Sequence, residues 1–566
     1  MIFVNSFVYY SLIPFGIIII FITHPSLAED EKPHDDYYTS LIGVQNLARK
    51  EQQTVAQLVR YKRKLEERLT LVERYLEDYR KSIRPLIQKS KTLRKSSLKK
   101  QYPIFRKEND LHTISETMSS HPLMVFRLLR RYAKELPDIA LNLFQDINIE
   151  IKDYLAMLAD NLDLPTEGDL NGAADGILRL QETYQLSTYD LSVGKLIEKD
   201  TGCGLVASDM QLIGVRAFNT KKYATSVEWI YHGWQMVKNG DKSISMEIIK
   251  ENLRVTSDHH NIELLSFKPS SLSLFQNLIN STWSNIDGLY RTPLVTEYPL
   301  KIVSDTIFDY YNFNALCRGE QLLTPAQTKN LRCWYAHDSP YNIISPLKFE
   351  AHHENPPVYQ VYDMISDEAI RHIKKLAEPH LKRAQVLGSY QKAGGIKSDV
   401  RTSSVAWISD KQDVNDTLLL KVPKSIQSAT GLIPWAMRAA EELQISCYGS
   451  VGGFYVPHFD ALFHPGVTLS KEMEGTNRGD RVATIMFYLS DVELGGGTAF
   501  PRLGIASKAV KGSAVIWYNL RYNGERELLM LHGGCPVLYG NKWVANKWIR
   551  LYDQFHVRKC TKHRFE

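Results

Sequence analysis

Arginine and lysine form no stripe interleaved with aromatic side chains in this 566-residue chain, and the formal charge is only +6. That excludes a nucleic-acid surface as the main purpose of the molecule. Cysteine is sparse, at six residues, and the C-terminal KHRFE is not a retention signal of the KDEL kind. A chain of this kind kept in the endoplasmic reticulum would need a partner to hold it there. The N-terminal run VYYSLIPFGIIIIFI has no Lys or Arg before it. It does end at small Ser26 and Ala28, placed as at a cleavage site, and Pro14 interrupts it. Residues 1–28 are therefore expected to be a signal peptide rather than a retained anchor, with no membrane span once it is removed.

Hydrophobic residues make up 44% and charged residues 23%, an ordinary globular composition, and the length calls for several domains. A multidomain α + β protein is expected. From Tyr37 to Arg84 apolar residues recur at steps of three and four, through Leu58, Tyr61, Leu65, Leu69, Val72, Leu76 and Tyr79. One stripe on a long helix suits either a coiled coil used for self-association or packing within its own domain. Residues 29–190 are taken as this helical dimerisation domain, with the basic KSKTLRKSSLKK as a solvated helix end or linker.

Residues 191–265 contain two consecutive helical patterns, with Gly214, Ala217 and Tyr223 where a helix–turn–helix of the tetratricopeptide type wants small and aromatic side chains. Aromatics in such a unit serve most often as core, but an aromatic-lined groove also recognises a polyproline II peptide. Residues 266–355, rich in Pro, Asn and Ser, read as a connecting region. Beyond Pro356 the grammar changes. A helix that Ser366 can cap is followed by short β-type runs separated by glycine-rich turns, as in a double-sheet jelly roll filling 356–566. Cys317 and Cys333 are neighbours in sequence, as are Cys535 and Cys560, leaving Cys203 and Cys447 as free buried thiols. Sequons at Asn280 and Asn415 fit a lumenal surface.

The chemistry concentrates near YVPHFDALFH. In a strand His458 and Asp460 point the same way. His464 would lie about 20 Å from His458 along that strand, too far to share an ion whose bonds are about 2 Å long. It reads as a bystander. Two histidines and one carboxylate with open positions form the facial triad of non-haem iron oxygenases, and His532 is the candidate third ligand. Lys542 and Lys547 follow it. Lys542 begins a strand after a tight turn and shares a face with Val544, Asn546 and Trp548, where it can meet a ligand carboxylate.

YVPHFD, GDRVATIMFYLSDVELGGGTAFP, KGSAVIWYNL and HGGCPVLYGNKWVANKWI resemble the catalytic domain of the collagen (procollagen-proline) 4-hydroxylase α subunit family. TEGDLNGAADGILRLQETYQLS and the AF…Y…W spacing at 217–229 are similar to it too. The resemblance implies hydroxylation of peptidyl proline at C4 with Fe(II), 2-oxoglutarate, O₂ and L-ascorbate, in the endoplasmic reticulum lumen. It implies an α₂β₂ tetramer with protein disulfide isomerase, acting on collagen-like proline-rich peptides. Carried over, His458, Asp460 and His532 bind iron and Lys542 holds the distal carboxylate of 2-oxoglutarate, beside Trp548 and Tyr448. Phe218, Tyr223 and Trp229 bind peptide, with Phe218 standing where the family often has Tyr. Disulfides join Cys317 to Cys333 and Cys535 to Cys560. Other readings are a zinc hydrolase, a non-turnover peptide-binding subunit and a lysyl hydroxylase. The first leaves Lys542 without a task and has no general-base Glu near the His–Asp pair, the second has four intact chemical residues to explain, and relatives of the third usually carry Arg where Lys542 stands.

Overall fold

The computed structural model describes residues 37–62, 69–89, 108–143, 157, 164–266, 285–286, 289–290, 305–337, 340–386, 396–397, 401–409, 416–435, 438–449, 451–462 and 478–561. The expected signal peptide, the asparagines of both sequons, His464 and most of the basic stretch lie outside the described residues.

The N-terminal stripe forms two helices, α1 (Leu41–Lys62) and α2 (Leu69–Lys89). They pack with α3 (Glu108–Ser119), α4 (Pro122–Arg130) and α5 (Leu136–Leu143). Leu58, Val72, Leu76 and Tyr79 are all buried in the shared core. The stripe therefore turns inward, because the short helices beside it offer enough apolar surface to cover it. Asp78 on α2 takes Arg127 and Arg131, and Arg131 also pairs with Glu51 of α1. Each buried charge is thus paired, as burial requires.

Helix α6 (Glu167–Tyr184) starts at a capping box in which Thr166 and Asp169 exchange hydrogen bonds. Three further helices follow, α7 (Ala207–Asn219), α8 (Tyr223–Lys238) and α9 (Met246–Ser266). A Cβ at Gly214 would meet Ile230 Cγ1 at 2.5 Å, so only glycine lets α7 and α8 approach this closely. These helices do not have a separate core. One apolar cluster runs from Val44 through Leu180 to Trp229, because α6 packs on both α4 and α7.

The C-terminal part is antiparallel throughout. The strands of its two larger sheets are β1 (Cys333–Ala336), β2 (Leu347–Glu354), β3 (Pro357–Tyr362), β4 (Lys382–Arg383), β5 (Ser403–Ile408), β6 (Leu443–Tyr448), β7 (Tyr455–His458), β8 (Arg481–Tyr488), β9 (Thr498–Phe500), β10 (Ile505–Ser507), β11 (Ala514–Tyr518), β12 (His532–Gly534) and β13 (Lys542–Arg550). One nine-stranded sheet has the order β1-β2-β3-β11-β8-β13-β6-β5-β4. A four-stranded sheet has the order β7-β12-β9-β10. Tyr448, Met486, Tyr488, Trp517 and Val544 of the large sheet bury against Phe500 and Ile505 of the small one. Alternate residues of the large sheet, such as Ile445, Ile485 and Ala545, face outward under α11 (Asp367–Ala377) and α12 (Lys421–Thr430). Ser366 caps α11 through the Ala369 N–H, as expected.

The region between the helices and Pro356 is more than a connector. Strands β1 and β2 extend the large sheet, so the sheet begins at Cys333 rather than after Pro356. Helix α10 (Asp305–Cys317) packs on β7, β9 and β10. This overturns the expected cysteine pairing. Cys317 is bonded to Cys535, with Cα atoms 5.4 Å apart, while Cys333 and Cys560 are free and exposed. The reason is spatial: α10 ends over the chain leaving β12, whereas Cys333 opens an edge strand of the other sheet. Nearness in sequence does not bring two Cα atoms within bonding reach. Cys203 and Cys447 are free and buried, as expected.

Candidate active site

His458 closes β7 and His532 opens β12, and the antiparallel register sets them directly opposite each other. Their rings lie 4.5 Å apart. Asp460, just past β7, places Oδ1 3.7 Å from His458 Nε2 and Oδ2 3.5 Å from His532 Nε2. The ligand atoms of all three fall within 4.8 Å of one another. Each imidazole donates from Nδ1 to a backbone carbonyl at 2.9 Å, His458 to Val456 and His532 to Met530. Those bonds select the tautomer and leave both Nε2 lone pairs pointing at the shared centre. Burial pushes His532 down to about 4, so at neutral pH its ring is an uncharged donor. Burial also opposes the Asp460 charge, but His532, His458 and Arg481 hold its carboxyl far below the usual range.

Behind Asp460 stands a polar relay that motif reading missed. Thr484 Oγ1 donates to Asp460 Oδ2 at 2.7 Å, and Asn519 Nδ2 donates to Thr484 Oγ1 at 2.8 Å. Only the alternation of RVATIMFYLS hints at it, since it turns Thr484 to the same face as Met486 and Tyr488. Thr484→Val is expected to keep the shape but free the carboxylate to rotate. Iron affinity should fall by about 10- to 100-fold, the range for partners of a metal ligand, when measured by metal titration. Unchanged affinity would remove Thr484 from the site.

Lys542 is buried, and its Nζ donates to the Gly497 carbonyl at 3.2 Å. Tyr448 lies opposite it on β6, with the ring centroid 4.9 Å from Nζ. Tyr488 is 5.8 Å away on the other side. Burial lowers the amine to about 7, and among the described residues no carboxylate pairs with it. A cation so placed is costly until an anion joins it. A Cβ at Gly534 would stand 3.5 Å from Nζ and 3.7 Å from the Tyr448 hydroxyl, so this glycine leaves the space of one carbon open beside the amine. Trp517 packs 4.7 Å from His532, and its buried indole N–H has no acceptor among the described residues. The donor set thus fits a hard divalent metal and an oxygen-rich anionic co-substrate.

Several expected residues fall elsewhere. Trp548 shares the Lys542 face but lies about 20 Å along the strand. It packs on Trp407 at 5.9 Å and under the Arg481 guanidinium at 3.8 Å, so it is not a neighbour of Lys542. Arg481 is held by Glu441 through two bonds of 2.6 and 2.7 Å, a structural role. Lys547, on the opposite face of β13, is fully buried, because helices cover that face. Trp229 is also fully buried, with its indole N–H on Gln181 Oε1 at 2.7 Å, and so belongs to the framework rather than to a peptide surface. Phe218 and Tyr223 remain half-buried, 5.2 Å apart, with His259 against both.

The opposed sheets and their His–Asp–His centre define the class: residues 443–550 match the 2OG-Fe(II) oxygenase superfamily. Residues 40–198 match the prolyl 4-hydroxylase alpha-subunit N-terminal region. The chain is 32% identical over 477 residues to prolyl 4-hydroxylase subunit alpha-2 of Gallus gallus, covering 78% of this chain and 84% of that one. It is 31% identical to the human subunit alpha-1, covering 80% and 86%, and 33% identical to subunit alpha-2 of Caenorhabditis elegans, covering 78% and 82%. The chain belongs to the prolyl 4-hydroxylase alpha-subunit family.

Proposed function

We propose that this chain is the catalytic subunit of a procollagen-proline 4-dioxygenase, hydroxylating C4 of proline in collagen-like X-Pro-Gly sequences. The observation that carries this is a buried lysine that has no carboxylate partner among the described residues, facing the same interior as the His458–Asp460–His532 centre. Fe(II) with 2-oxoglutarate supplies the oxidation, in which one atom of O₂ enters succinate as CO₂ leaves and the other becomes the hydroxyl. His458, Asp460 and His532 would hold the metal. Thr484 and Asn519 fix the Asp460 carboxylate, and Met530 and Val456 carbonyls fix the rings. Lys542 would anchor the distal carboxylate of the co-substrate, with Tyr448 lining its side. Trp517 and Phe500 pack around His532 and keep bulk water from it.

The finer architecture belongs to the same proposal. The opposed sheets are read as a double-stranded β-helix, α7–α9 as a tetratricopeptide-like unit presenting Phe218 and Tyr223, and the N-terminal helices as a dimerisation domain. A signal peptide at residues 1–28 and glycosylation at Asn280 and Asn415 would place the chain in the endoplasmic reticulum lumen. Protein disulfide isomerase as β subunit would retain it there in an α₂β₂ tetramer, and ascorbate would keep the iron reduced. Family membership and the intact residue set support this reading.

The test is a coupled assay on the chain co-expressed with protein disulfide isomerase. With Fe(II), O₂ and 2-oxoglutarate, Pro-Pro-Gly repeats should yield succinate and 4-hydroxyproline in equal amounts. Succinate that peptide does not stimulate, with the peptide unmodified, would overturn the substrate assignment.

A further inference from the structure

Residues 535–541 join the strand of His532 to the strand of Lys542. A turn open to water would be polar, yet this one reads CPVLYGN. The helical region covers it. Leu538 is fully buried in the same apolar cluster as Leu180 and Trp229, and Tyr539 packs against that cluster. The Gly540 N–H donates to the Ser120 carbonyl at 2.9 Å, and the Tyr539 ring meets His121 edge-on at 5.4 Å. Lys199 pairs with Glu493 and stands 3.8 Å from the Tyr539 ring centroid. Glu493 leads into Leu494–Gly495, a short strand that pairs with Val537–Tyr539.

One contact reaches further than the rest. Tyr184, the last residue of α6, is buried and donates its hydroxyl hydrogen to the Pro536 carbonyl at 2.5 Å. The hydroxyl fits there only because residue 495 is glycine. A Cβ on Gly495 would lie 2.4 Å from the Tyr184 oxygen and 2.5 Å from the Pro536 oxygen. The Gly496 N–H shares the same acceptor, at 3.1 Å from the Pro536 carbonyl. Pro536 follows Cys535, whose N–H donates to the Gly497 carbonyl at 3.0 Å. That carbonyl is the one that receives the Lys542 ammonium at 3.2 Å. Tyr184 therefore holds, from outside the catalytic sheets, the two laced strips 495–497 and 535–537 that decide where the acceptor of Lys542 stands. A buried cation hydrogen-bonded to a carbonyl moves when that carbonyl moves.

We propose that the helical region sets the direction of the Lys542 ammonium, with Tyr184 as the positioning residue and Lys199 as a second, weaker hold. The role of Lys542 toward 2-oxoglutarate is that of the hydroxylase reading above, on which this proposal rests. The path runs from the Tyr184 hydroxyl through Pro536, Cys535 and Gly497. It ends at the lysine and not at the three metal donors, so its loss falls on co-substrate affinity rather than on turnover at saturation.

Two variants test it in the complex with protein disulfide isomerase. Tyr184→Phe keeps the ring and removes the donor. The KM for 2-oxoglutarate should rise about 3- to 10-fold, the worth of one hydrogen bond. Both kcat at saturating 2-oxoglutarate and the KM for Pro-Pro-Gly repeats should change less than about twofold. In the complex without co-substrate or peptide, the Cys535 and Val537 amides should exchange with deuterium at least about threefold faster, while those within β8 keep their rate. Lys199→Met, at a partly exposed site, should raise the same KM by about 2- to 5-fold, and it decides the matter if Tyr184→Phe does not assemble. An unchanged KM for 2-oxoglutarate, or one that rises only together with the peptide KM, would overturn the proposal and leave the hydroxylase reading intact. A wild-type complex that leaves Pro-Pro-Gly unmodified would overturn that reading. The exchange measurement needs no turnover and would then decide on the Tyr184 path by itself.

Discussion

His532→Ala is expected to abolish 4-hydroxyproline formation from Pro-Pro-Gly repeats, with succinate release falling to background. The wild-type histidine is set by its surroundings. Its ring is buried, neutral, bonded through Nδ1 to Met530 and packed between Phe500 and Trp517. Alanine removes one of three ligands and leaves His458 and Asp460, whose donor atoms are 3.7 Å apart, without the third corner. Changing a partner of a ligand costs about 10- to 100-fold in metal affinity, and deleting the ligand itself should exceed the upper figure. The checks are metal content after dialysis and product by amino-acid analysis. Hydroxylation that survives the substitution would sink the assignment of the triad.

The second large effect is at Lys542, where one substitution should move two measurements in opposite directions. Lys542→Met should raise the 2-oxoglutarate requirement by about 30- to 1,000-fold, the equivalent of losing about 2–5 kcal/mol from one partner of a buried charge pair. Iron should stay bound. Without co-substrate, however, the variant should melt at a higher temperature than the wild type, because it no longer buries an unpaired ammonium. The pH dependence follows from the lowered pKa. The amine titrates near 10.5 when unfolded and about 7 when folded. Its penalty on the free protein is therefore absent above pH 10.5, grows as pH falls, and is complete below about 7, where it reaches a few kcal/mol. The melting-temperature gain of the variant should accordingly be larger at pH 6 than at pH 9. Adding 2-oxoglutarate should raise the wild-type midpoint and leave the variant's unchanged. A variant that melts lower than wild type at pH 6, or still responds to 2-oxoglutarate, would contradict the role.

Strand alternation and turn chemistry made most of the C-terminal sheets legible. The runs holding β5, β6, β7, β8, β11 and β13 read as strands because their β-branched and aromatic residues lie between glycine-rich turns. The same period of two placed Lys542 on the interior face and paired it in direction with Val544 and Asn546. It placed Trp548 on that face as well, whereas its position beside Lys542 was implied only by the family resemblance. Alternation specifies a side, while position along the strand still separates the two residues by about 20 Å. The burial of Trp229 was legible as one of two outcomes, since aromatics at helical spacing serve core and ligand alike. The packing of α8 on α7 and α6, where Trp229 meets Gln181, decided for core.

By itself, the sequence determined most of the helices before residue 266, most of the strands beyond Pro356, and the identities of the ion's three donors and of the lysine across from them. These depend on local periodicity and on residue chemistry that survives in an extended chain. The tertiary structure alone decided which distant segments meet: His458 opposite His532, Cys317 with Cys535 rather than Cys333, Thr484 and Asn519 behind Asp460, and Tyr184 against Pro536. Such meetings depend on the register of non-neighbouring strands and on how helices seat against a sheet. They are set by the summed packing of many side chains, and no single stretch of chain carries that information.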